Sequence, residues 1–135
     1  MLLLALASVA PAEKTPAAAR AVVVRYYQAI EQRRYSTAYR LWGDAGRRSG
    51  QSYAAFVHGF ARTAHVHAVA AAPTDAEGAA GSVFVTVPVT VTATLKTGLR
   101  QRFRGSYLLR RVNDVDGATA AQLRWHIDSA KLLAY

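Results

Sequence analysis

Val83, Val85, Val87, Val89, Val91, Ala93 and Leu95 alternate with Phe84, Thr86, Pro88, Thr90, Thr92 and Thr94. A period of two lays one apolar row along one face of a sheet. Residues 101–112 repeat it, with Phe103, Tyr107 and Leu109 set against Arg102, Arg104 and Arg110 beyond a Lys96-Thr97-Gly98 turn. An antiparallel hairpin follows from the two together. Residues 123–132 alternate again, Trp125 and Ile127 on one side, Arg124, His126 and Asp128 on the other, and residues 64–72 read as a strand ahead of the three. Pro88 cannot donate to a ladder, so it predicts that its strand lies at an edge or carries a bulge.

The first half of the chain follows a different period. Val23, Tyr27 and Ile30 stand at i, i+4 and i+7, widened by Val24 and Tyr26, while Arg25, Gln28, Gln32 and Arg33 take the wet face. That spacing predicts a helix from about Arg20, after a Pro- and Ala-rich lead-in. Residues 35–42 predict a second helix, with Ser36 or Thr37 as N-cap, Ala38, Leu41 and Trp42 inside, and Gly43 as its stop. Residues 44–51 read as a loop, and Ser52 caps a third helix that turns Tyr53, Phe56, Val57 and Phe60 inward. Residues 73–81 and 113–119 read as loops. The expected class is α+β: three N-terminal helices packed on a bent, mostly antiparallel four-stranded sheet, with residues 18–135 as one domain behind a lead of residues 1–17.

With 135 residues, 52% of them hydrophobic, the chain can bury one core unaided. It has no cysteine, which removes disulfides, thiol catalysis and cysteine-rich zinc sites. Residues 1–9 read MLLLALASV, and Ala10-Pro11-Ala12 offers small residues at both recognition positions of a cleavage site before Glu13. The run is too short to span a bilayer and fits a secretory signal, one without a basic start, so the written Met1 can lie inside a longer signal. A periplasmic or secreted location is the expectation. The net charge of +9 is carried mainly by arginine, since Lys14, Lys96 and Lys131 are the only lysines. The arginines are scattered from Arg20 to Arg124 as singles and pairs, which disfavours nucleic acid.

Tyr26-Tyr27-Gln28-Ala29-Ile30, the stretches 35–38 and 56–60, Gly81-Ser82 leading into Val87-Pro88-Val89, residues 105–111 and Trp125-His126-Ile127 together resemble the nuclear transport factor 2-like superfamily. The resemblance covers residues 18–132 and looks most similar to small exported bacterial members of unknown role. It implies a sheet wrapped around the helices into a cone, whose open end holds a ligand in some members and nothing in others. Tyr27, Tyr39, Trp42, Phe56, Phe60, Tyr107 and Trp125 would line such a pocket. Membership spans ketosteroid isomerase, polyketide cyclases, epoxide hydrolases, transport receptors and non-catalytic domains ahead of penicillin-binding transpeptidases, so it fixes no chemistry.

Acid–base chemistry in such a cone needs carboxylates or histidines aimed inward. Asp44, Asp75, Glu77, Asp114 and Asp116 fall in loops, Glu13 in the lead, and Glu31 on the outer side of the first helix. Asp128, expected to pair with Arg124 or Lys131, and His126 are the remaining catalytic candidates. His65 and His67 point to one side of a strand but lack further ligands, and Asp114-Val115-Asp116-Gly117 lacks the downstream acid of a calcium loop, so no metal or cofactor is expected. Arg102, Arg104, Arg110 and Arg124 share a face with Thr86, Thr90 and Thr92. This basic face suits a protein or anionic partner, and its like charges oppose the homodimer that sheet pairing would otherwise allow. The leading reading is an exported, non-catalytic binding domain, acting through the cone pocket on a small apolar ligand or through the basic face. The alternative is an isomerase- or cyclase-like enzyme acting on a small carbonyl compound. A basic module for nucleic acid or wall polymer would need the arginines to converge.

Overall fold

The computed structural model of the chain describes residues 13–113 and 115–135; the apolar run and cleavage site read from residues 1–12, and Asp114 of the Asp-Val-Asp-Gly turn, lie outside them. Helix α1 spans Pro16–Glu31. It starts four residues before the periodicity suggests, inside the expected lead, because Thr15 Oγ1 accepts from the Ala18 N–H at 3.2 Å and Pro16 at the first helical position needs no donor. Its buried stripe is Ala19, Val22, Val23, Tyr26, Tyr27, Ala29 and Ile30. Helix α2, Tyr35–Arg40, begins without a side-chain cap, so Ser36 and Thr37 do not serve as one, and Trp42 lies beyond its end. A 3-10 turn, Arg47–Ser49, occupies the expected loop. Helix α3, Tyr53–His58, is capped as expected by Ser52, whose Oγ accepts from Ala55 N–H at 3.2 Å. Phe56 turns inward, but Tyr53 does not and stays 45% exposed.

Strands β1 (Thr63–Ala70), β2 (Glu77–Ala79), β3 (Ser82–Leu95), β4 (Arg100–Val112) and β5 (His126–Ala134) form one antiparallel sheet in the order β1-β3-β4-β5, with β2 also pairing β3. The β3–β4 hairpin forms as the alternation predicts, Val91 opposite Phe103, Val87 opposite Tyr107 and Val85 opposite Leu109. The fold is α+β, with five strands rather than four; the fifth, β2, turns back into β3 through Ala80 and Gly81, both at positive φ.

Pro88 is not on an edge strand. It sits on the interior strand β3 at the gap where β1 has ended at Ala70 and β2 has not yet paired. Its carbonyl accepts from Ala71 N–H at 2.8 Å, so its nitrogen faces the same gap and no bond to β4 is lost. Strand β5 starts at His126, later than expected, so Trp125 packs just ahead of it and is 4% exposed. Leu109 pairs with Ile127 but Leu108 with Ser129, which makes Asp128 a bulge. Alternation reverses beyond it: Leu132, opposite Gly105, packs against the core, and Leu133, opposite Arg104, is 75% exposed. Gly105 is required there, because a Cβ would collide with the Lys131 carbonyl. Both sheet margins are tied to the helical half. Arg20 donates to Ala70 O on β1 from Nε and Nη2 at 3.0 and 2.7 Å, and Gly43 N–H donates to Ile127 O on β5 at 2.9 Å. No helix among the described residues is long and apolar enough to cross a membrane.

Candidate functional site

The aromatic side chains expected to line a pocket are packed ring on ring. Tyr26, adjacent to Tyr27, is their hub, with its ring centroid between 5.2 and 6.3 Å from those of Tyr27, Trp42, Phe56 and Tyr107. Tyr39 stacks edge-on against Phe56 and its hydroxyl donates to Gln51 O at 2.7 Å; Phe60 lies flat on Tyr35. Tyr27 and Tyr107 share a buried hydroxyl–hydroxyl hydrogen bond of 2.5 Å. Burial pushes the Tyr26 hydroxyl up to about 12, with the nearby Trp42 indole offsetting a little of it. Burial drives Tyr27 and Tyr107 well above the ordinary tyrosine value too, so these hydroxyls are neutral at physiological pH. Among the described residues, the buried Nε1 groups of Trp42 and Trp125 have no hydrogen-bond partner of good geometry. Trp125 stands apart from the other rings, beside Val22, Leu41 and Arg124 at a shallow cleft.

A cleft of about 400 Å³ opens elsewhere, where the end of β4, the start of β5 and the residues leading into β5 meet Gly43–Arg48. Among the described residues its cations are Arg48, Arg110, Arg111, Arg124 and, when protonated, His126, and its acids are Asp44 and Asp128. Asp44, Ala45 and Gly46 run consecutively at positive φ, and a side chain at Gly46 would strike the Tyr39 ring. For Ala45 that conformation costs about 1 kcal/mol or more. The loop is held in it by Gly46 N–H on Trp42 O at 3.2 Å and Arg48 N–H on Gly43 O at 3.1 Å, which delivers Arg48 to the sheet. Arg48 Nη2 then donates to Asp128 Oδ2 at 3.1 Å.

Arg110 and His126 lie opposite each other in the β4–β5 register, so their side chains are neighbours on one face. Arg110 Nε donates to Ser82 Oγ at 2.9 Å, and His126 Nδ1 donates to Arg124 O at 3.1 Å, since a carbonyl can only accept. Arg111 points to the other face, is 5% exposed, and its Nε donates to Leu123 O at 3.1 Å, holding the incoming loop.

The structure thus redistributes the candidates. Asp128 pairs with Arg48, not with Arg124 or Lys131, because the bulge re-aims it. Arg110, Arg124 and His126 come together, whereas Arg102 and Arg104 belong to the opposite end of β4 and flank the Tyr135 ring, 5.1 and 4.7 Å from its centroid. Six residues of strand separate Arg104 from Arg110, about 20 Å. Glu31, on the outer side of α1, is nonetheless engaged: it accepts from Val66 N–H at 2.6 Å and lies 2.8 Å from His65 Nδ1. His65 is therefore engaged by a carboxylate. Arg48 and Arg111 escape sequence reasoning, although Arg111 shares parity with Tyr107 and Leu109 and so with the inner face. No protein-family model, curated protein or solved structure matches the chain.

Proposed function

We propose that the chain is an exported, non-catalytic binding domain of the nuclear transport factor 2-like type, a helix-filled cone that recognises an acidic partner through the outward face of its sheet. The observation that carries this reading is the charge of that face. On it the strands hold Arg100, Arg102, Arg104, Arg110 and Lys131 against two acids, Glu77 at a corner and Asp128, which is withdrawn to Arg48. Arg102, Arg104 and Arg110 are exposed. The interior, by contrast, offers neutral, mutually packed rings, and Asp128 and His126 are already engaged by Arg48 and Arg124 O. A general acid or base with an apolar wall behind it is not among these groups.

Polyglutamate serves as a surrogate for an acidic partner. Binding is expected at low ionic strength, to weaken as salt rises, and to be lost on changing Arg102, Arg104 and Arg110 to Glu, because several screened attractions add. Unchanged binding by the triple variant would reduce the face to solvated surface. Turnover of a small carbonyl compound that Asp128→Asn abolishes would establish the isomerase-like alternative instead.

A further inference from the structure

We infer that the cleft framed by Arg48, Arg110, Arg124 and His126 is a separate binding site for a small, multiply charged oxyanion, either a phosphate ester or a polycarboxylate, with Asp128 as its internal competitor. Its volume of about 400 Å³ is that of a small-molecule site rather than of a polymer track. Leaving Arg111 aside, Arg48, Arg110 and Arg124 line it, and among the described residues neither of its aspartates is free to neutralise Arg110 and Arg124. Asp44 is 3.2 Å from Arg47, and Asp128 is on Arg48. Arg110 is anchored through Nε alone, which leaves both terminal nitrogens without a partner among the described residues, and Arg124 has no side-chain partner among them either. Paired guanidinium donors of this kind match the planar edge of a carboxylate or phosphate.

Arg48, Arg110 and His126 are also fixed in place before any ligand arrives. Arg110 and His126 sit on paired strands, and Arg48 is held by a loop with consecutive residues at positive φ. Asp128 has only 15% of its side chain exposed, while Arg48, at 53%, keeps donors turned to solvent. An entering oxyanion shares those donors and weakens the Arg48–Asp128 bond. Asp128 therefore sets the affinity by holding the site's charge partly satisfied when it is empty.

The inference shares Arg110 and Arg124 with the basic face but not its partner, so the two are separable. Calorimetric titration of the full chain with pyrophosphate and with citrate at low ionic strength should give saturable one-to-one binding by at least one of them, with Kd at or below about 1 mM. Pyrophosphate alone points to a phosphate ester, citrate alone to a polycarboxylate. The Arg110→Gln, Arg124→Gln double variant should weaken binding about tenfold or more. Compared at about 150 mM salt, where the Debye length is roughly 8 Å, the Arg102→Gln, Arg104→Gln double variant, which removes the same charge about 20 Å away, should change binding less than about twofold. Asp128→Asn should tighten it.

NMR shift mapping on the unaltered chain gives a reading that needs no variant: perturbations should centre on Gly43, Arg48 and His126 and spare Arg102 and Tyr135. Absence of saturation by both probes, equal weakening by the two double variants, or shifts spread over the whole face would overturn the site. Weaker binding by a folded Asp128→Asn would overturn the competition. Loss of polyglutamate binding with citrate or pyrophosphate binding intact would remove the acidic-partner reading and leave this one standing.

Discussion

Tyr27 and Tyr107 meet hydroxyl to hydroxyl between α1 and β4, where each is the other's partner and both are buried. Tyr107→Phe strands the Tyr27 hydroxyl without a bond and should cost about 1–3 kcal/mol. Tyr27→Phe added to it removes the last polar atom and should recover most of that loss. Urea denaturation of the three variants checks this, and a double variant as weak as the sum of the singles would refute it. The same burial sets a pH limit. Folded Tyr26, Tyr27 and Tyr107 keep their protons above the ordinary value of 10.0, where the unfolded chain releases them. Their contribution is whole below that pH and declines as pH rises above it, so alkaline unfolding should coincide with tyrosinate absorbance rather than follow it.

Glu31 acts between elements. One carboxylate oxygen accepts from Val66 N–H and the other faces His65, so the end of α1 covers the outward edge of β1, as Arg20 covers it near Ala70. The His65 contact, then the Val66 N–H, holds the carboxyl below its ordinary value of 4.5. A depressed folded pKa stabilises above the unfolded value and is lost as pH falls through the folded one. Glu31→Gln should therefore lower stability at pH 7 by about 0.5–1 kcal/mol, with the gap closing below pH 4.5. A gap of equal size at pH 3 and pH 7 in urea titrations would refute the charged bond.

Elements with long unbroken patterns are legible in sequence, and the β3–β4 hairpin and the stripe of α1 are of that kind. Strand β2 is not, because Glu77-Gly78-Ala79 has no large apolar side chain to alternate. The bulge leaves no mark either, since any residue can occupy one. The cleft was half legible: Arg110, Arg124 and His126 stand out, but Arg48 is 80 residues from Asp128 in a segment that reads as a loop until the fold closes.

The molecule as a whole carries +9. Among the described residues, the ion pairs Arg47–Asp44, Arg48–Asp128 and His65–Glu31 offset little of this, since each has at least one well-exposed partner and such pairs contribute about 0–1 kcal/mol each. Self-repulsion among the remaining cations is the larger screened quantity. The melting temperature should thus rise as sodium chloride is increased from about 10 to 150 mM, where the Debye length falls from roughly 30 to 8 Å. A fall in a thermal melt series would mean that the attractive pairs dominate.

The bulge at Asp128 gives β5 an unusual heredity. A codon deleted from the middle of a strand ordinarily transposes everything after it to the opposite face. Here the pairs on either side, Leu109 with Ile127 and Leu108 with Ser129, are already those of a regular strand lacking the intervening residue. Excising Asp128 would leave the partners of Ser129 through Ala134 as they are, with Leu132 still inward and Leu133 still outward. The carboxylate that restrains Arg48 is thus a detachable insertion, open to gain or loss in a lineage without renegotiating the remainder of the sheet.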